Sequence, residues 1–440
     1  MMEASKDFQY IKDLDYVYRA DIGLSYSSPC RGAWNIVHYG TLVPEGHQIY
    51  VCPVSCLRGV VLTTAELGFE AMKKLSTIAV GEDNILNGDL EEQVLHGAER
   101  IIETLEKRPR MVMIFTSCIH HFLAVNYQRV YKILREEYPD IDFIDCYMNP
   151  IMRRKTPPMP SLRRQILRVL KPAEKDKGQV SFIGNCFPMK EHCDLTNFLS
   201  RNNIRVSDLT TMKKYDEFKA MEHSCINFTF HNAAAWAGKD LELRLNQRWL
   251  VMRESYDYDT IDEDMRKAAE ALELEPLSEA EIKKEREMTE AAVEKLKKTL
   301  GDVPVSVDDS AVDRPLELAL YLLRHGFRVE SVIMDVNSEP EEIFTALQKA
   351  KPELKIYAAH GWNMRRARTK FDGKIIGIGQ KSAYLNDTSY FVNMTENAGL
   401  YGYAGIRHLM ELIGEAAAEP KDMRTLIQQK GWNCHIEEGC

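Results

Sequence analysis

Strand-like apolar runs alternate with stretches of helical periodicity along most of this chain, and that alternation limits the fold more than any other feature. Leu90, Val94, Ala98, Ile101, Ile102 and Leu105 recur at helical spacing. After Pro109 comes a strand-like run over 111–115, a helical stretch over 122–138, and a second strand-like run over 141–144. Parallel strands need a crossover of this kind, so the segment reads as a βαβ unit. A second unit opens at Val180, with a helix over 194–201 and strands over 204–207, 226–230 and 249–252. The densely charged stretch 262–300 reads as surface helices. A third unit begins at Val303; its helix starts near Pro315, a favoured first-turn residue, and stops at Gly326. Its strands follow at 329–334, 355–359 and 374–378. The expected fold is α/β: three Rossmann-like units, with mostly parallel sheets flanked by helices. The expected boundaries are 1–177, 178–300 and 301–440.

A chain of 440 residues exceeds one ordinary core, which agrees with several units. No apolar run reaches bilayer length, so no membrane association is expected. The first 19 residues mix acidic, basic and aromatic side chains and lack a signal-peptide core, which points to the cytoplasm. A net charge of −9 disfavours nucleic acid as a partner. Ten cysteines without a secretory segment argue against a disulfide framework.

Three of those cysteines stand out. Cys30 lies in Ser-Ser-Pro-Cys-Arg-Gly-Ala, Cys56 in Cys-Pro-Val-Ser-Cys-Leu-Arg-Gly, and Cys118 just after the apolar run 111–115. Soft thiolates are the preferred anchors of iron–sulfur clusters. Three per chain is one short of the usual four, so another residue or a partner chain must complete the set. Completion by a partner chain would place the site at a subunit interface. Cys52 makes a Cys-x3-Cys pair with Cys56, and His120-His121 offer two more ligands. Zinc is therefore an alternative, ranked below iron–sulfur.

Cys186, Cys193, Cys225 and His231 form a second constellation in the middle unit. Cys186 and His231 each end a strand and would face one crevice of a parallel sheet. A metal or substrate site there competes with the plainer account of buried thiols and a hydrogen-bonded histidine. In the third unit, His360 opens a basic stretch with Arg365, Arg366 and Arg368. Gly377-Ile-Gly379-Gln-Lys381-Ser382 only weakly resembles a phosphate loop. The glycine-rich turn 397–405 either presents N–H groups to an anion or is a tight helix entry. Cys434-His435 and Cys440 close the chain; a frayed, unliganded tail is the expected state.

Taken in order, these segments resemble the component 1 family of nitrogenase and nitrogenase-like oxidoreductases. Pro53-Val-Ser-Cys56 is similar to the family's Pro-Val-Gly-Cys element, and Thr116-Ser-Cys118 to its cysteine element after a strand. Val80-Gly-Glu-Asp-Asn with the following helix, and Gly399-Leu-Tyr-Gly-Tyr-Ala-Gly405, resemble two further family segments. The resemblance covers most of the chain. It implies that Cys30, Cys56 and Cys118 ligate an iron–sulfur cluster, either [4Fe–4S] or a P-cluster-like [8Fe–7S]. It implies pairing as a homodimer, or as a heterodimer or heterotetramer with a related component 1 chain. It also implies a nitrogenase reductase-like iron–sulfur ATPase that donates electrons, consistent with no full phosphate loop here. Cys225 and His231 fall near the family's cofactor-anchoring cysteine and leave room for a second metallocofactor. The segment 391–397 has no histidine where the family anchors its cofactor, so dinitrogen reduction on an iron–molybdenum cofactor is not expected. The implied function is an oxidoreductase component; the alternative is a scaffold for assembling a nitrogenase-type metallocofactor.

Overall fold

A computed structural model describes residues 8–18, 20, 35–148, 157–360, 371 and 373–427. Cys30, Arg365, Arg366, Arg368, Cys434, His435 and Cys440 lie outside the described residues. A short strand, β1 (Phe8–Tyr10), comes first. One four-stranded sheet holds β2 (Gly46–Cys52), β3 (Leu75–Ala79), β4 (Met111–Ser117) and β5 (Asp142–Met148), in the spatial order β3-β2-β4-β5. A second holds β6 (Asp176–Ile183), β7 (Arg205–Asp208), β8 (Ser224–Thr229) and β9 (Arg248–Val251), in the order β7-β6-β8-β9. The third takes β10 (Val305–Asp308), β11 (Val329–Ile333), β12 (Lys355–Tyr357), β13 (Ile376–Ile378) and β14 (Phe391–Val392), in the order β1-β12-β11-β10-β13-β14. Every pairing is parallel except that of β1 with β12. The expected α/β class with mostly parallel sheets is thus what the chain adopts.

These sheets are distributed over two compact units. One is built from residues 34–188 and 199–252 and contains the first two sheets. Its strands β2 and β4 are buried at every position. Alternate residues serve opposite cores: Tyr50, Met111, Met113 and Phe115 on one face, Ile49, Val51, Val112 and Ile114 on the other. A parallel strand covered by helices on both faces has this composition. The helix Leu90–Thr104 supplies the second core with Leu90, Val94, Ala98 and Ile102, one stripe at helical spacing. The first core continues into the second sheet through Ile183, Phe218 and Leu241. Polar ties follow the same route: Tyr215 donates its hydroxyl to Asp142 at 2.6 Å and its N–H to the Glu45 carboxylate at 2.7 Å. The expected boundary between 177 and 178 therefore falls inside one unit with a shared core.

The other unit comprises 189–198, residues from 253 onward, and the N-terminal segment. The charged helices belong here, with the third sheet, rather than with the middle unit of the sequence reading. Glu279–Leu300 is one such helix, closed at its start by a Ser278/Glu281 capping box. It buries only Thr289, Val293, Leu296 and Leu300, a single stripe, and packs on the helix Gly402–Ala418. The helix Pro315–Arg324 starts at its proline and ends before Gly326, which sits at φ +74°. The Glu339 carboxylate accepts the N–H groups of Leu316 and Glu317 at that helix's start. Among the described residues no helix is long and apolar enough to cross a membrane.

Candidate functional site

Each sheet has a point where its strand order reverses, and ligands of open parallel sheets gather outside the carboxyl ends of strands there. In the first sheet that point lies between β2 and β4. Val51 of β2 pairs with Thr116 of β4, so the two strands end level with each other. Cys56 follows β2 and Cys118 follows β4. Pro53 starts the helix Val54–Ala65, because its fixed φ suits a helix start and it has no N–H to leave unpaired. That start puts Cys56, which is exposed, in the first turn. Cys118 is the first residue of the short helix Cys118–Phe122 and is half-buried.

Cys52, the last residue of β2, is enclosed. Burial pushes its thiol up to about 12, and the neighbouring Cys56 and Cys118 push it further in the same direction. Cys52 is therefore enclosed and held protonated, while Cys56 and Cys118 beside it are the more open thiols. Among the described residues no group of three or more metal-binding side chains is preassembled. The donor set fits a thiolate-bound cluster whose remaining ligands come from elsewhere. The exposed apolar side chains Val54 and Phe122 sit on the same two helices as the thiols.

The second sheet reverses between β6 and β8. Cys186 follows β6 and His231 follows β8, and both are buried. Cys186 accepts a hydrogen bond from Arg163 at 3.2 Å, while Arg163 also donates to the Gly184 carbonyl at 2.8 Å. Cys225 is the second residue of β8, its thiol donating to the Gln179 carbonyl at 3.2 Å. His231 lies six positions further on, past the end of β8, roughly 20 Å along an extended chain. Cys225 and His231 thus do not face one site, whereas Cys186 and His231 lie at one end of neighbouring strands. Cys193 lies in the other unit, buried.

The third sheet reverses between β10 and β13, and a charged cluster that the sequence reading did not assemble stands there. Asp308 ends β10 and accepts N–H groups from Ser310, Ala311 and Ser382. Ser382 belongs to the loop that weakly resembled a phosphate loop. Gly379 of that loop sits at φ +108°, and a Cβ there would lie 2.2 Å from the Asp308 carboxylate. The cradle is filled by the chain's own carboxylate. Lys381 is buried and pairs with Asp309 at 2.7 Å. Burial alone would lower its pKa, but Asp309 and Asp308 outweigh that and hold the ammonium charged. Asp335, two residues past the end of β11, binds His360 Nδ1 at 2.5 Å. The signal that could have found this cluster was Asp308-Asp309 directly after a strand.

The turn 397–405 is filled in the same way. Asp194 accepts the N–H groups of Tyr403 at 2.6 Å and Ala404 at 3.3 Å, and Gly402 at φ +71° permits the approach. Both sequence-identified anion cradles hold an internal carboxylate.

Comparison with known proteins agrees with this architecture. The family described as nitrogenase component 1 type oxidoreductase matches residues 41–417. No curated protein matches the chain. A solved structure described as nitrogenase Cp1 at pH 6.5 superposes with a TM-score of 0.67 at 14% identity, covering 92% of this chain and 95% of that one. A second, described as nitrogenase Cp1 at pH 5, gives 0.59 at 12% identity, covering 90% of each chain. Family match and parallel-sheet architecture agree: the chain belongs to the nitrogenase component 1 type oxidoreductase family.

Proposed function

We propose that this chain is the component 1 subunit of a nitrogenase-like oxidoreductase. It takes low-potential electrons from an ATP-hydrolysing iron–sulfur reductase through a cluster held by Cys30, Cys56 and Cys118. It passes them to a substrate or second cofactor. The observation that carries this reading is that Cys56 and Cys118 follow the two strands that flank the first sheet's reversal point, and that those strands end level with each other. When bound there, a cluster supplies one-electron chemistry in a site whose potential burial and hydrogen bonding can tune. The chain's own part is to fix two thiolates, to keep Cys52 out of the ligand set by holding it protonated, and to offer apolar surface beside the thiols. Val54 and Phe122 are 69% and 67% exposed. Such surface next to an incomplete ligand set supports a cluster shared with a second component 1 chain.

The test is iron, sulfide and EPR signal on anaerobically purified protein beside the Cys56→Ala/Cys118→Ala double variant. A cluster signal present in the wild type and lost in the variant supports the reading; equal iron in both refutes it. Turnover with reductase, ATP and reductant then separates an enzyme from an assembly scaffold, which transfers iron to an acceptor and forms no small-molecule product.

A further inference from the structure

A cavity of about 770 Å³ opens beside the carboxyl ends of β4 and β5. That is ample for a small organic ligand. Ser117, the residue before Cys118, forms part of its wall. Four of the residues around it each hold a polar atom that is closed off from solvent and has no hydrogen-bond partner: His120 Nε2, Tyr127 Oη, Arg164 Nε and Gln165 Oε1. A buried polar atom left unpaired typically costs about 1–3 kcal/mol, so such atoms are rare and each calls for a partner or another explanation. Here four belong to side chains that line one cavity.

Their chemistry is specific. The Ser117 N–H donates to His120 Nδ1 at 3.2 Å, which places the neutral ring's proton on Nε2 and makes that atom a donor. Arg164 Nε and the Tyr127 hydroxyl are donors as well, and Gln165 Oε1 is an acceptor. The guanidinium of Arg164 lies 5.5 Å from the Trp236 ring, and that of Arg168 stands on the same wall. Among the described residues no carboxylate pairs with either arginine. The one carboxylate of the wall, Asp145, already accepts the Tyr147 hydroxyl at 2.8 Å.

We infer that this cavity binds an organic carboxylate, its anionic end held by Arg164 and Arg168, its apolar body against Ala124, Val125 and Tyr131 of the same wall, and small side-chain turns on binding bringing the closed-off donors of Tyr127 and His120 onto it. Planar guanidinium groups match a carboxylate in shape as well as charge. The inference goes beyond the electron-transfer reading and does not need the metal.

The test is calorimetric titration of the full chain with 2-naphthoate, and with 2-naphthylmethanol as the uncharged analogue of similar shape. Naphthoate is expected to bind at least about tenfold more tightly than the alcohol, with binding weakened at least about tenfold in Arg164→Gln and a few-fold in Tyr127→Phe. Arg168→Gln, at an exposed position, keeps the test open if Arg164→Gln does not fold. Equal binding of acid and alcohol, no binding of either, or full affinity in folded arginine variants would overturn the inference. Iron content is scored separately in the cysteine variants, so failure here leaves the cluster reading untouched, and failure there leaves this one.

Discussion

Among single residues, what separates a ligand thiol from a structural one is its access to solvent. Cys52 and Cys56 are four positions apart, yet one closes a buried strand and the other opens a helix. Cys56→Ala and Cys118→Ala should each bring iron to background while thermal midpoints move by no more than a few degrees, because neither thiol fills a core. Cys52→Ala should do the reverse: iron is retained, and stability falls by about 1 kcal/mol for the small cavity left behind. Iron analysis and thermal unfolding on the three variants check this, and iron loss in Cys52→Ala alone would reassign the ligand. Context in the sequence singled out Cys56 and Cys118 as candidate ligands. It could not show that Cys52 is enclosed, since the core that covers it is built from distant segments.

At the level of elements, two glycine-rich turns have been turned inward. Gly379→Ala would put a methyl group on the Asp308 carboxylate in a backbone region that L-residues avoid. The expected loss is about 2 kcal/mol or more, read as a lower urea midpoint with an unchanged slope. Asp194 gives a pH signature. Burial raises its carboxyl to about 6, against the opposing hydrogen bonds from Ala404 and Tyr403. A folded-state value above the unfolded 3.8 means that its contribution is complete below about pH 4 and is lost as pH rises through 6. Over that window it amounts to about 3 kcal/mol, by the usual conversion of pKa shift to free energy. Urea unfolding between pH 4 and pH 7 should therefore show a decline in the wild type that Asp194→Asn flattens; an unchanged slope would refute the assignment. Helix starts, stops and strand runs were largely legible, as with Pro315 and Gly326, because they depend on neighbours in sequence. The occupants of the two turns were not, because Asp308 lies 74 positions before Ser382 and Asp194 209 positions before Tyr403.

For the whole molecule, the alternation of strands and helices announced parallel sheets. The edge strand β1 and the core shared by the first two sheets went unannounced, since both rest on contacts between distant segments. A site with too few ligands and exposed apolar side chains beside it should need a second chain. Phe122→Lys or Val54→Lys is expected to shift anaerobic light-scattering mass from a dimer or larger assembly toward the monomer, with iron lost in step. A wild type that is monomeric and iron-replete would remove the basis for this. The loop at Gly379 has a consequence for energy supply. An anion arriving from solution must compete there with a carboxylate tethered to the same chain, whose effective concentration no dissolved phosphate matches. That loop is closed to nucleotides by mass action, so hydrolysis of one to drive electrons uphill would have to take place elsewhere.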